Sequence, residues 1–370
     1  MEVAEETELA KAVRKAHIRD IYHLTDEQLQ QITKNIISVM AKDLLPSKNP
    51  LAIVVGGQSG SGKTALINYT SQLSTKREFI QIDNDFFRGF HPKVDEIKKY
   101  YPDYYVTATD QLGLGITAKI IDYFREHKYN IILHQTLKNN RVVDDAITKF
   151  IDAGYTVGVR AFAVPYFESK MSQIERCEGQ IETLGFCRHV AKEDHDNAIT
   201  GLPQTISYIE TSGKYDFIEI FKRGASISHP ELIYAKLNPK NKTKTLATLA
   251  DCENVSLTDR THGFASAQEA VEKTRESEAV RCAKTLDIRI RNAEQSPYNN
   301  AEMQSHIDEL KEAFREFKKD TRKIGICTLR PATIRKQCTD DEFENTRKLT
   351  TCMLRPVTLK KQHGDDGLTR

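Results

Sequence analysis

At 370 residues the chain is long enough to bury one sizeable core or two. Its 39% apolar and 29% charged residues, without a run of about 18 apolar residues, exclude a helical membrane span and predict a soluble protein with extensive polar surface. The net charge of +2 hides an asymmetry, because residues 321–370 hold 11 Lys+Arg against 6 Asp+Glu. Such a tail suits an anionic partner or a membrane surface, and equally a solvated terminus. The opening MEVAEETELAKAV is acidic and helix-favouring, without the basic-then-apolar pattern of a signal peptide, which predicts a cytoplasmic protein. Seven scattered cysteines without CxxC pairs predict reduced thiols, not a disulfide framework.

Residues 4–45 predict two helices. The second opens on a capping box, Thr25 with Gln28, ahead of an apolar stripe at Leu29, Ile32, Ile36 and Met40. Leu51–Val55 is an uninterrupted apolar run of the kind buried on both faces of a parallel sheet. Strand-like runs recur at Glu78–Ile82, Ile131–Leu133, Tyr155–Val164 and Phe217–Phe221. Helical stretches alternate with them at Ala65–Leu73, Gly115–His127, Val142–Ala153, Phe167–Glu182 and Thr205–Thr211. That rhythm predicts a doubly wound α/β domain with a mostly parallel sheet over residues 46–224, with the N-terminal helices of residues 1–45 packed on it.

Beyond Arg223 the composition shifts. Residues 225–262 are polar and predict a linker or surface loop around LNPKNKTKT, and residues 225–320 as a whole predict a mainly helical C-terminal region. Ala265–Arg291 favours helix without a crisp stripe. Met303–Lys319 places Ile307, Leu310, Phe314 and Phe317 on one face, which must pack on the preceding domain or on a partner. In the tail, CTLRPATIRKQ (327–337) recurs as CMLRPVTLKKQ (352–362). Two copies are too few for a solenoid and read as paired recognition motifs or a local duplication.

The chemistry begins at residues 57–64. Gly57, Gln58, Ser59, Gly60, Ser61, Gly62, Lys63 and Thr64 complete the G-x-x-x-x-G-K-[ST] pattern, directly after a predicted strand and before a predicted helix. Glycines let the backbone amides turn inward around phosphates. Lys63 places a positive charge on the β- and γ-phosphates, and the Thr64 hydroxyl is the candidate Mg²⁺ ligand. ATP and Mg²⁺ are therefore the predicted cofactors. Motors and switches share this loop. The end of the next strand, Ile82-Asp83-Asn84-Asp85, points to a kinase, since a carboxylate there can accept the proton of an attacking hydroxyl. Asp85 is the candidate base and Asp83 its neighbour or a group behind the magnesium, although an aspartate after a strand also serves as a helix N-cap. Arg176 and Arg188, around a turn at Glu182–Cys187, are candidates to spread charge over the transferring phosphoryl group, or surface cations.

Taken in order, GGQSGSGKT (56–64), IDNDFFRGFHPKVDE (82–96), the Tyr129-Asn130 strand ending near Thr136, AVP (163–165), QIERCE (173–178), Arg188 and KEDHD (192–196) resemble the zeta toxin family. These are the kinase halves of bacterial toxin–antitoxin systems. The resemblance spans roughly residues 51–223 and implies a P-loop kinase-like fold. It implies transfer of the ATP γ-phosphate to the 3′-hydroxyl of UDP-N-acetylglucosamine, with a small helical antitoxin blocking the nucleotide site. It also implies Lys63 as the loop lysine, Asp85 as the base, and Arg176 with Arg188 as the pair embracing the γ-phosphate.

One position departs. The family's Glu-Gly-Thr after the third strand reads here as His134-Gln135-Thr136, and Lys138-Asn139-Asn140 replaces its arginine- and threonine-rich continuation. With Asp83, His134 and Thr136 on the acceptor side, three outcomes stand open: an altered hydroxyl-bearing metabolite, retained UDP-N-acetylglucosamine, or lost activity. A neutral His134 accepts a hydrogen bond where a charged one contacts phosphate. The competing class is a degenerate nucleotide-binding module that presents its C-terminal region to a protein partner. Retention of Lys63, Thr64, Asp85, Arg176 and Arg188 favours the enzyme. Neither class predicts a nucleic-acid partner.

Overall fold

The computed structural model describes residues 8–187, 189–226 and 229–323. Two helices lead, α1 (Glu8–Ile21) and α2 (Asp26–Met40). The capping box predicted for α2 is present: Thr25 accepts from the Gln28 amide, and the Gln28 side chain accepts from the Thr25 amide. Its buried stripe, Ile32 and Ile36, joins the main core, while Ile18 and Tyr22 at the end of α1 pack with Ile97 and Ala108.

The chain then alternates strand and helix: β1 (Leu51–Gly56), α3 (Lys63–Ser71), β2 (Ile80–Ile82), α4 (Asn84–Phe87), α5 (Val94–Tyr100), α6 (Tyr105–Ala108), α7 (Thr117–Glu126), β3 (Ile131–Gln135), α8 (Asn140–Asp152), β4 (Thr156–Phe162), α9 (Tyr166–Leu184), α10 (Lys192–Ser212) and β5 (Phe217–Ser226). After β5 come β6 (His229–Leu237), α11 (Lys242–Thr248), α12 (Ala267–Glu294) and α13 (Ala301–Lys323). The sheet runs in the order β2-β3-β1-β4-β5-β6, parallel throughout except for the antiparallel β5–β6 pair. Every residue of β1 and of β4 is buried, as expected for strands covered on both faces. The doubly wound, mostly parallel architecture is therefore present, and β1 lies centrally between β3 and β4 so that its carboxyl end opens where ligands bind in such sheets.

Three expectations are corrected. The polar stretch 225–262 is not a plain linker: β5 continues to Ser226, β6 returns along it, and α11 follows. Charged residues hid β6, because it is an edge strand whose Lys236 reaches Glu210 on α10 and whose Glu231 pairs with Lys222 on β5. Helix α10 is far longer than Thr205–Thr211. It runs from Lys192 through a buried Pro203, which local propensity marks as a break but which tertiary burial accommodates. Finally, Cys177 and Cys187 are joined in a disulfide instead of standing as two thiols, whereas Cys252 and Cys282 are free.

The apolar face predicted over Met303–Lys319 packs inside the chain. Met303, Ile307, Leu310 and Phe314 of α13 meet Phe167, Met171, Ile174 and Cys177 of α9 together with Leu286 and Ile290 of α12. The duplicated LRP motif and nearly all of the basic tail lie outside the described residues.

One ion pair between strands is fully buried. Arg160 of β4 is fully buried and donates to Glu219 of β5 at 2.8 Å, to Thr70 Oγ1 at 2.9 Å and to the Asn254 carbonyl. Its guanidinium also lies over the rings of Tyr69 and Phe221. Removing one member strands the other charge in the core, while removing both leaves only shape to be filled. Arg160→Leu should lower stability in urea denaturation by about 3–5 kcal/mol, and the double variant with Glu219→Leu should lose less than the single. An equal loss in both would show that the stranded carboxylate is not the cause.

Candidate functional site

The loop 57–62 leaves β1 and enters α3 at the centre of the sheet's carboxyl edge. Gly60 and Gly62 stand at φ +77° and +91°, the left-handed region that suits glycine. A Cβ on Gly60 would meet the Ser169 carbonyl at 2.0 Å, so helix α9 presses directly on the loop. Neighbouring side chains grip the loop from outside. Arg223 of β5 donates to the Gly60 carbonyl at 2.7 Å and the Ser61 carbonyl at 3.3 Å, and Gln173 of α9 donates to the Ser59 carbonyl at 2.9 Å. Gln58 is wholly buried, donating to the Val164 carbonyl at 2.7 Å and accepting from Arg275 of α12 at 3.2 Å. Lys63 Nζ folds back on the Gly57 and Gln58 carbonyls at 2.7 and 3.2 Å. Thr64, in the first turn of α3, is exposed. Carbonyls drawn outward, a helix N-terminus, a lysine and an exposed hydroxyl fit a magnesium-bound nucleotide polyphosphate.

The predicted catalytic residues reach this centre to different degrees. Arg176 of α9 does, with Nη2 3.4 Å from Ser59 Oγ. Asp83, at the end of β2, is the N-cap of α4: its Oδ1 accepts from the Asp85 amide at 3.0 Å. The capping role that sequence allowed for Asp85 thus belongs to Asp83. Burial works to raise the Asp83 carboxyl, but the His134 hydrogen bond, the Asp85 amide and the Lys63 charge outweigh it and hold the group below the usual range. Asp85 lies within α4, half-exposed, with Oδ1 3.3 Å from Nε of the buried Arg88. Arg88 is itself anchored on the Val106 carbonyl and Thr109 Oγ1, so it fixes the direction from which Asp85 is held.

His134, one residue before the end of β3, lies beside Asp83, with Nδ1 3.4 Å from Asp83 Oδ2, and its Nε2 is buried without a protein partner among the described residues. Thr136 follows in the same segment, half-buried. Next to it Leu137 is fully buried at φ +56°, a strained backbone for a branched side chain, and it fills the space that makes Gly56 a glycine. Arg188 lies outside the described residues.

Arg223, Gln173, Arg275, Glu168 and Arg289 were not foreseen. Arg223 pairs with Glu168 of α9, Glu168 also accepts from Arg289 of α12 at 2.8 Å, and Arg289 forks onto Glu175 at 2.7 and 2.8 Å. Burial would raise the Glu168 carboxyl, but Arg289 and Arg223 hold it below the ordinary range. The only local signal was an isolated arginine in a strand and charges on helices, which ordinarily mark solvated surface.

The fold and loop define a P-loop protein of kinase-like architecture. The Zeta toxin family model matches residues 11–231, more than half of the chain, and the chain belongs to that family. It is 27% identical over 222 residues to the toxin zeta of Streptococcus agalactiae, covering 60% of this chain and 77% of the relative. It is 26% identical over 208 residues to toxin PezT of Streptococcus pneumoniae serotype 4, covering 56% and 82%. The solved PezAT toxin–antitoxin system of Streptococcus pneumoniae contains a chain of like fold, at a TM-score of 0.54 and 19% identity over 74% of this chain and 98% of that one.

The depressed Glu168 carboxyl has a pH consequence of definite sign. A group whose folded value lies below its unfolded one stabilises above the unfolded value, near 4.3 for glutamate, and loses that contribution as pH falls through the folded one. Thermal unfolding of wild type against Glu168→Gln should therefore show a stability gap at pH 7 that narrows steadily below about pH 4. A gap constant down to pH 2.5 would place the effect outside this ion pair.

Proposed function

We propose that this chain is an ATP-dependent small-molecule kinase acting as the toxin of a toxin–antitoxin pair. The observation that carries the reading is a single carboxyl-edge centre joining the phosphate loop, Arg176 on Ser59, and the Asp83–His134 pair within the field of Lys63. Bound Mg·ATP supplies the transferable γ-phosphoryl group. Lys63 and the amides at the start of α3 would neutralise its phosphates, and the Thr64 hydroxyl would hold the metal. Asp85, oriented by Arg88, takes the proton of the acceptor hydroxyl, and Arg176 with Arg188 spreads the charge that builds on the transferring group.

The acceptor is a nucleotide sugar, UDP-N-acetylglucosamine or a related hydroxyl-bearing metabolite. Where the family carries a glutamate, His134 leans on Asp83 and offers a buried ring nitrogen, Nε2, in place of a carboxylate. That exchange favours an acceptor other than the amino sugar, or the amino sugar held differently; Asp83 and Thr136 complete this side. A small helical antitoxin over the nucleotide site is the expected protein partner and the cytoplasm the expected place of action. No described helix is long and apolar enough to cross a membrane.

The test is a phosphotransfer screen with labelled ATP and Mg²⁺ over a metabolite extract, with and without added UDP-N-acetylglucosamine. Transfer to one metabolite is expected, abolished by Lys63→Ala and reduced about 10²–10⁴-fold by Asp85→Asn. Near wild-type transfer by Asp85→Asn would remove Asp85 from its role, and nucleotide binding with no transfer to any metabolite would leave a binding module.

A further inference from the structure

Beside the phosphate loop, at the far end of α9, lies a cluster that the phosphotransfer chemistry does not use. Cys177 of α9 and Cys187 and His189 of the following segment place their donor atoms within 4.8 Å of one another, and Glu302 and His306 of α13 do the same with His189. His189 Nε2 is the common point. It lies 3.7 Å from Cys177 Sγ, 3.5 Å from Cys187 Sγ and 3.2 Å from Glu302 Oε2. A tetrahedral zinc site with metal–sulfur bonds of about 2.3 Å and metal–nitrogen or metal–oxygen bonds of about 2.0–2.2 Å has ligand-to-ligand edges of roughly 3.3–3.8 Å. The three distances from His189 Nε2 are close to such edges. The two sulfurs stand closer, because they are bonded to each other, and Glu302 groups with His189 but not with the sulfurs.

We propose that with this disulfide open the segment is a tetrahedral binding site for a divalent transition metal of the zinc class. Cys177, Cys187, His189 and Glu302 are its ligands. Sulfur, nitrogen and carboxylate donors together select borderline ions over magnesium or calcium. The fourth ligand is assigned to Glu302 and not to His306 on mobility and occupation. Glu302 is half-exposed near the start of α13 and can swing its carboxylate toward the sulfurs. His306 is engaged by the buried Lys170, whose Nζ lies 3.0 Å from Nδ1, and its ring stacks on His189 at 5.2 Å, which positions that imidazole. Opening the disulfide takes two electrons from a phosphine or thiol reductant and two protons from solvent, giving two thiols. Ligation then returns both protons to solvent as the sulfurs bind as thiolates.

The site would fasten α9 and its following segment to α13. Its ligand Cys177 adjoins Arg176 on α9, so on the phosphotransferase reading the ion sets the frame of that arginine. Metal binding itself does not rest on that reading.

The experiment is a Co²⁺ titration of the full chain, reduced with a phosphine and then freed of it, followed by absorbance. One equivalent of Co²⁺ should give thiolate-to-cobalt charge-transfer and intense tetrahedral d–d bands, which one equivalent of Zn²⁺ erases. Cys177→Ser, Cys187→Ser, His189→Ala and Glu302→Ala should each weaken binding by more than about a hundredfold, beyond the usual cost of losing an outer partner. Cys252→Ser should bind as wild type, and circular dichroism of each variant shows that it is folded. Folded, reduced wild-type protein without tetrahedral cobalt bands overturns the site. Undiminished binding by Glu302→Ala overturns its assignment as fourth ligand. Because the readout is spectroscopic, it stands whether or not phosphotransfer is found.

Discussion

The phosphate loop can point its amides inward only if its carbonyls are held, and Arg223 holds two of them. One guanidinium spans the Gly60 and Ser61 carbonyls while pairing with Glu168. Burial disfavours its charge, pushing Arg223 below its ordinary value, so the position is tenable only with Glu168 beside it. Gln173 extends the same principle to the Ser59 carbonyl, and the loop's own Gln58 ties the loop to the Val164 carbonyl. The loop is thus held by groups of α9 and β5 packed against it.

That arrangement explains why the chain continues past its sheet. Arg275 and Arg289, both on α12, reach Gln58 and Glu168, and α13 closes over the apolar side of α9 with Phe314 and Phe317 against Phe167. Lys170, buried on α9, is answered by Glu309 of α13 at 2.7 Å. Helix α9 carries Arg176, Gln173 and Glu168 on one side and this apolar seam on the other. The C-terminal helices therefore brace the element that delivers charge to the phosphate loop, and a change in their packing would be felt there.

The same economy joins His134 to Asp83. Asp83 caps α4, touches His134 and feels Lys63, so one carboxylate links the helix that carries Asp85 to the strand that carries the residue departing from the family pattern. Substitution at 134 consequently alters a coupled pair and not an isolated contact.

The sequence by itself determined the phosphate loop, the central strands, the capping box of α2 and the apolar face of α13. Each of these is written in neighbouring residues: a fixed motif, a buried run, a cap spacing, a 3.6-residue period. Membership of the family followed from motifs in order, which also made Asp85 and Arg176 candidates. Only the tertiary structure decided that β6 completes the sheet, that α10 passes through Pro203, that Asp83 is the cap, and that Arg223, Arg275 and Arg289 belong to the loop. The same holds for the two triads that share His189, Cys177 with Cys187 and Glu302 with His306, the second drawn from 113 residues further along the chain. Charges and thiols look alike in sequence whether they face water or one another. What separates them is burial against a distant element, and no local period records it.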